Sequence, residues 1–288
     1  MLSSLTDVLK MAEEKEIAIG SFNTPNLESL CAVIAAAEEL QLPVIVQHAQ
    51  CHEGLLSLDV IGPIMVEHAK KATVPVCVHL DHGEDLNYLK KALDMGFTSI
   101  MYDGSTLPFE ENVKATCEAV KLAADYQADV EAEIGSMGQR EFGAGEPGAD
   151  DASKIYTDPD QAREFVERTG IQALACSFGT THGIYLTKPQ LDFGIVKAVR
   201  EQTGGIPVVM HGGSGVSAED FRKSILAGVR KVNYFTYMDK AAGTAVYEYL
   251  DGIHNKKPLF FSEIRAVGMQ AMKENVKEAM RTFARMDA

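Results

Sequence analysis

Short runs rich in Val, Ile and Ala alternate along this chain with longer amphipathic stretches. The short runs suit buried parallel strands and the stretches between them suit helices. The pattern predicts strands at Ile17 to Phe22, Pro43 to His48, Pro75 to Asp81, Thr98 to Asp103, Asp129 to Ile134, Gln172 to Phe178, Ile206 to His211 and Val229 to Tyr234. Eight strands, each followed by helical sequence, is the count of an α/β protein of the (β/α)8 TIM barrel type, for which about 250 residues is the usual size. Two additions decorate the repeat: an amphipathic helix at Leu5 to Glu14 and a C-terminal helix from about Ser262 to Met286. Either could cap the barrel or meet a partner subunit. A doubly wound open sheet is the rival. It is weakened because no G-x-G-x-x-G follows the first strand and no G-x-x-x-x-G-K-[ST] occurs anywhere.

One connection breaks the rhythm. Gly135 to Tyr156 holds five glycines and several acids without helical or strand periodicity. Long structureless loops in compact domains are usually functional or disordered, so this one is expected to act as a mobile lid that excludes water during chemistry.

Composition narrows the classes. Lys and Arg number 27 against 41 Asp and Glu, a formal charge of −14, which disfavours nucleic acid as a partner. The longest apolar run, Leu30 to Ala37, is far short of the roughly 20 residues that span a bilayer, and no basic-then-apolar signal pattern opens the chain. The five cysteines are odd in number and lack paired short spacing, so no disulfide framework is expected. These features predict a soluble, cytoplasmic protein with no membrane partner. No linker or charge shift divides the sequence, so residues 1–288 are expected to form one domain.

Barrel enzymes keep their chemistry at the C-terminal ends of the strands. Here those ends are polar: His79-Leu80-Asp81-His82-Gly83 on the third, Tyr102-Asp103-Gly104-Ser105 on the fourth, Glu131-Ala132-Glu133 on the fifth. The sixth leads into Thr181-His182-Gly183, the seventh ends in His211-Gly212-Gly213-Ser214-Gly215, and the eighth reaches Asn233. Three histidines at matching positions, His82, His182 and His211, could converge on a metal, since catalytic zinc takes three protein ligands and leaves one position open. A lone histidine more often bonds neighbouring backbone. Three together, beside Asp81 and Glu133, favour the metal. His79 precedes Asp81 by two and shares its face, so the two could form a hydrogen-bonded pair below the site. The glycines after the seventh strand let backbone amides approach an anion, with Ser214 and Thr236 as further donors, where many barrels bind phosphate.

With these residues in view, the sequence resembles a class II, metal-dependent ketose-bisphosphate aldolase. The resemblance covers nearly the whole chain in the family's order: Ser21-Phe22-Asn23, His79 to His82, Met101 to Ser105, Val130 to Gly135, Gly179 to Gly183, His211 to Gly215, and Lys231-Val232-Asn233. Tyr156 to Ala162 and Ala271 to Glu274 are most similar to the tagatose-bisphosphate branch. The resemblance implies that His82, His182 and His211 hold a catalytic zinc, with Asp103 and Glu133 around a second metal. Asp81 would be the acid/base on the C4 hydroxyl, and Glu141 the carboxylate that moves the C3 proton. Gly183, Gly212, Gly213, Ser214 and Thr236 would hold the phosphate of the dihydroxyacetone-phosphate half, with Asn23 and Asn233 also on substrate and Gly179 near it through a monovalent cation.

The implied activity is reversible, zinc-dependent cleavage of tagatose 1,6-bisphosphate or fructose 1,6-bisphosphate to dihydroxyacetone phosphate and an aldehyde, by a homodimer or homotetramer. Four places depart from the family pattern. Gln47-His48-Ala49-Gln50 stands where a substrate-contacting serine is usual, Tyr237 where an acid follows the threonine, Leu186 where a lysine is common, and Phe283-Ala284-Arg285-Met286 at the usual glycine-rich close. The second-strand and C-terminal changes fall where the aldehyde half would bind, which leaves that partner open. A non-catalytic barrel subunit is the alternative, disfavoured because a scaffold has no need of both Asp81 and Glu141. Zinc-dependent hydrolysis on a similar barrel is disfavoured by the phosphate donors beside the metal.

Overall fold

The computed structural model describes residues 1–135, 156–183, 189–253 and 258–286. Among these, nine strands run in chain order: β1 (Leu2–Ser3), β2 (Ile19–Asn23), β3 (Val44–Ala49), β4 (Val76–Gly83), β5 (Ser99–Tyr102), β6 (Asp129–Ile134), β7 (Ala173–Cys176), β8 (Val208–Met210) and β9 (Val229–Tyr234). Ten α-helices alternate with them: α1 (Leu5–Lys15), α2 (Leu27–Leu40), α3 (Leu58–Lys71), α4 (Leu86–Asp94), α5 (Phe109–Ala124), α6 (Pro159–Thr169), α7 (Phe193–Gln202), α8 (Ala218–Ala227), α9 (Thr236–Ile253) and α10 (Phe261–Phe283). Strands β2 to β9 pair in parallel with their sequence neighbours and β9 returns to β2, closing an eight-stranded barrel. The two-residue β1 was not anticipated; it lies along β4, with Leu2 opposite Val76.

Helix boundaries follow local chemistry. Ser4, Asn26, Asp85, Asp158, Asp192 and Ser217 each accept a backbone N–H of the following first turn, the usual way to satisfy an orphaned donor. The apolar residues facing outward from the strands pack under the helices as one large core.

Inside the barrel, residues two apart share a face, and the alternation builds a graded interior. Ile19, Ile45, Cys77, Ala173, Ala175 and Val209 fill the lower end and meet Leu5, Val8, Leu9 and Ala12 of α1. The N-terminal helix is therefore a plug. Glu13 on it receives Arg200 from α7 (an Nη2 contact at 3.0 Å and a shorter one through Nη1) and Nε of Arg230 from β9 at 2.8 Å. One step up, Ser21, Gln47, His79, Ser99, Glu131 and Lys231 are fully buried polar residues. Another step brings Asn23, Asp81, Glu133, His211 and Asn233 to the upper mouth. Helix α10 lies outside against α2 and α9, its Phe283 ring 4.8 Å from Phe221 and 6.0 Å from Tyr234.

Six of the eight strands differ from expectation at one end or both, and two of these differences bear on the site. Strand β8 stops at Met210, so His211 stands just past the ladder, while β4 runs on to Gly83. No disulfide joins the five cysteines, and no helix among the described residues is long and apolar enough to cross a membrane.

Candidate active site

Asp81 and His82 are adjacent, so a regular strand would send them to opposite faces. Instead His82 has φ of 47°, and the β4–β5 register shifts between Leu80 and Gly83. That irregularity turns both side chains into the mouth. His182 comes from the loop after β7 and His211 from the residue after β8. Ring centroids lie 4.9 Å apart for His82 and His182, 4.7 Å for His82 and His211, and 5.5 Å for His182 and His211. One ring nitrogen of each falls within 4.8 Å of the others.

The donor set fits a divalent cation. The outer nitrogens of two rings are held by carboxylates: His82 Nδ1 lies 2.6 Å from Asp103 Oδ2, and His211 Nε2 lies 2.8 Å from Glu131 Oε1. Such partners fix ring orientation and tautomer, and they leave His82 Nε2 and His211 Nδ1 facing each other at 3.0 Å. Zinc–nitrogen bonds of about 2.0 to 2.1 Å place tetrahedral nitrogens roughly 3.4 Å apart, a few tenths of an ångström from that spacing. Both nitrogens of His182 are buried without a hydrogen-bond partner among the described residues.

A second group, His82, Asp103 and Glu133, offers ligand atoms at the same spacing. Burial, and then the charge of Asp103, push the Glu133 carboxyl well above the usual range, and its Oε2 has no hydrogen-bond partner among the described residues. Burial opposes charge on His82, yet Asp81, Asp103 and Glu133 together raise it well above an ordinary imidazole. For His182, burial and the neighbouring His82 and His211 lower it well below.

Asp81 is nearly buried and receives only donors: Asn23 Nδ2 and Gln47 Nε2 on Oδ2, and Asn233 Nδ2 on Oδ1, each at 3.0 Å. Burial alone would raise its pKa, but the positive potential of His82, His211 and Lys231 holds it below the ordinary carboxylate range. It stays ionised. Its Oδ1 is 4.0 Å from His82 Nε2. The carboxylate that orients His82 is Asp103.

Asn23, Gly183, Gly212, Gly213, Ser214, Asn233 and Thr236 line one pocket together with Asp81 and His182. Gly212 has φ of +65°, and a Cβ there would lie 2.4 Å from the Thr181 carbonyl oxygen. Only glycine lets these two backbone segments cross so closely. Gly179 is not in the pocket lining; its φ is +115° and a Cβ would meet Gln190 O at 2.1 Å, so its need is also a close crossing. Glu141 lies outside the described residues, as do Leu186 and the interior of the Gly135 to Tyr156 connection.

The expected His79–Asp81 pair does not form. His79 Nδ1 lies 2.8 Å from Ser99 Oγ, and burial drives its pKa down to about 3. His48 points outward, Nε2 3.1 Å from Tyr88 Oη, and His68 bonds the Ile64 carbonyl. His52 is buried with its ring 4.9 Å from that of Phe235. His254 is outside the described residues. Sequence reasoning passed over Gln47, Glu131 and Lys231 as site-supporting residues. The available signal was strand periodicity: each is polar or charged and lies two residues before a mouth position, Ala49, Glu133 or Asn233, on the same face of its strand.

A closed parallel barrel whose C-terminal mouth gathers three imidazoles, an ionised carboxylate and a run of glycines has the architecture of a barrel enzyme, with its polar groups at the strand ends. The chain belongs to the class II fructose-bisphosphate aldolase family, whose family model, fructose-bisphosphate aldolase class-II, matches residues 3–288. It is thus an aldolase, a carbon–carbon lyase of carbohydrate metabolism. The probable fructose-bisphosphate aldolase of Bacillus subtilis is 39% identical over 289 residues, covering 98% of this chain and 97% of the relative. The 6-phospho-5-dehydro-2-deoxy-D-gluconate aldolase of Halalkalibacterium halodurans is 38% identical over 288 residues, covering 98% and 96%. The crystal structure of the YdjI aldolase from Escherichia coli K12 superposes with a TM-score of 0.85 at 37% identity, covering 98% of this chain and 97% of that one.

Proposed function

We propose that this protein catalyses the zinc-dependent, reversible cleavage of a ketose phosphate to dihydroxyacetone phosphate and an aldehyde. Tagatose 1,6-bisphosphate is the leading substrate and fructose 1,6-bisphosphate, which differs only at C4, the next. The observation that supports this most is the convergence of His82, His182 and His211, one ring nitrogen of each within 4.8 Å of the others, beside the ionised Asp81.

His82, His182 and His211 would hold the zinc, and Asp103 and Glu133 a second cation. The chemistry a zinc held there would supply is positive charge beside the ketose carbonyl, which would stabilise the electrons left on C3 when the C3–C4 bond breaks. Asp81 accepts the C4 hydroxyl proton on a carboxylate oxygen as that bond breaks; its three amide donors keep it oriented and ionised in the meantime. Glu141 returns a proton to C3. Backbone amides at Gly183, Gly212 and Gly213, with the Ser214 and Thr236 hydroxyls, bind the phosphate, and Asn233 and Asn23 orient the dihydroxyacetone half. Gly179 would stand near the dihydroxyacetone half through a monovalent cation. The Halalkalibacterium relative's substrate carries one phosphate by its name, which supports leaving the aldehyde half open to an unphosphorylated group. A cytoplasmic homodimer or homotetramer completes the reading.

The test is an assay of purified protein against tagatose and fructose bisphosphates and monophosphorylated ketoses, with and without chelator, coupled to dihydroxyacetone phosphate detection. Cleavage that chelator abolishes and zinc restores is expected. Chelator-resistant cleavage would exclude the zinc mechanism, and no cleavage of any candidate would favour a non-catalytic barrel subunit.

A further inference from the structure

A buried cation lies one layer beneath the site. Lys231 on β9 is fully buried, and its Nζ lies 2.8 Å from Glu131 Oε2 and 2.8 Å from Asn233 Oδ1. Each contact leads to a different functional group. Glu131 places its other oxygen, Oε1, 2.8 Å from His211 Nε2. Asn233 donates from Nδ2 to Asp81 Oδ1 at 3.0 Å.

Resting on the zinc aldolase reading above, we infer that Lys231 is a positioning residue that sets both the metal-facing nitrogen of His211 and the proton-accepting face of Asp81. An ammonium has three donors and no acceptor. Asn233 must therefore turn its carbonyl oxygen toward Lys231, which leaves only its NH2 to face Asp81. The flipped amide would set an oxygen against the Asp81 carboxylate and a donor against the ammonium, and both contacts would repel. On the other branch, Glu131 needs a counter-charge to remain in a fully buried layer, and Lys231 is the cation 2.8 Å from it. Held there, Glu131 receives the Nε2–H of His211, so that the Nδ1 lone pair points at His82. An apolar side chain of the same length would fill the space and supply neither constraint.

The test compares wild type, Lys231→Met and the double variant Lys231→Met/Glu131→Gln, each full-length. The readouts are zinc affinity by competition with a chromophoric chelator, the visible spectrum of the cobalt-loaded protein, and kcat and KM on a cleaved ketose phosphate. Lys231→Met is expected to bind zinc about 10- to 100-fold more weakly with shifted cobalt bands, and to lose more than about tenfold in kcat while KM moves less than about threefold. The double variant removes both charges, which protects folding. Its new amide oxygen at position 131 can still accept from His211, so zinc affinity recovers, while Asn233 still lacks its donor and kcat stays low. Zinc affinity within about twofold of wild type in Lys231→Met, or recovery of kcat to wild type in the double variant, overturns the inference. Should Lys231→Met fail to fold, the kcat of the double variant decides. Should the wild type cleave no ketose phosphate, the proposed function fails, and the zinc and cobalt readouts decide on Lys231 by themselves.

Discussion

Asp103 Oδ2 sits 2.6 Å from His82 Nδ1, and this contact commits the opposite nitrogen of the ring to the mouth of the barrel. Asp103 is itself anchored by Ser105, whose backbone N–H and hydroxyl both donate to Oδ1. Replacing the carboxylate frees the ring to rotate and to shift its proton. Asp103→Ala is expected to weaken zinc binding about 10- to 100-fold. Equilibrium dialysis against a zinc buffer measures it, and unchanged affinity would remove Asp103 from the site's support.

Asp81 faces amide donors on both oxygens, so Asp81→Asn keeps the shape but presents an NH2 to amides whose own NH2 groups face it and whose oxygens already accept from Ser21, Gln47 and Lys231. Turnover is expected to fall by about 10²- to 10⁴-fold, the range for loss of a general acid/base. Zinc content should hold at one equivalent, because the nearest approach of Asp81 to a proposed ligand nitrogen is 4.0 Å. His211→Ala should instead lose the ion. Metal analysis alongside steady-state kinetics separates the two, and an Asp81→Asn enzyme with intact turnover would refute the assigned role.

At Gly212 the left-handed backbone and the 2.4 Å approach of a Cβ to Thr181 O leave no room for a side chain. Gly212→Ala is expected to cost on the order of 1–3 kcal/mol of unfolding free energy. It should also raise KM for phosphorylated substrates by about tenfold or more, because the amides of the anion cradle shift. Urea denaturation and saturation kinetics test the pair; a destabilised variant with unchanged KM would detach this loop from phosphate binding.

His48 is buried, and burial followed by the neighbouring His52 lowers its pKa from 6.5 to about 4. Between those values the unfolded chain binds a proton that the folded chain refuses, so this residue's contribution to stability is present above pH 6.5 and declines as pH falls toward 4. From pH 7 to pH 5 the wild type should lose about 2 kcal/mol more than His48→Gln. Urea midpoints at the two pH values check it; equal losses would show that His48 is not held neutral.

Most of the barrel was readable because a parallel strand buried on both faces must be apolar, and the turns between repeats are short. All eight predicted strands exist, with Asp129–Ile134 and Val229–Tyr234 matching at both ends. Ends slipped where the backbone leaves the ladder for the site, as at Met210, and where pairing resumes beyond a register shift, as at Gly83. His82, His182 and His211 were legible as residue types at matching strand ends. What orients them was harder to see, because Asp103 reaches its partner from the neighbouring strand while Glu131 and Lys231 reach theirs across the barrel interior. Their role depends on stagger around a closed barrel, which no local pattern encodes. The left-handed turn at His82 was equally hidden, since nothing about a histidine signals positive φ.

Helix α1 closes the barrel at the end opposite the histidines, with Glu13 clasped by Arg200 and Arg230. Much of the molecule's anchorage thus sits far from the residues that would meet a sugar. Changes at the rim, such as those after β3 and β9, can accumulate without loosening that foundation. A lineage built this way can trade one aldehyde for another while the floor stays the same, and laboratory evolution of acceptor choice should find the upper loops permissive and the clasp intolerant.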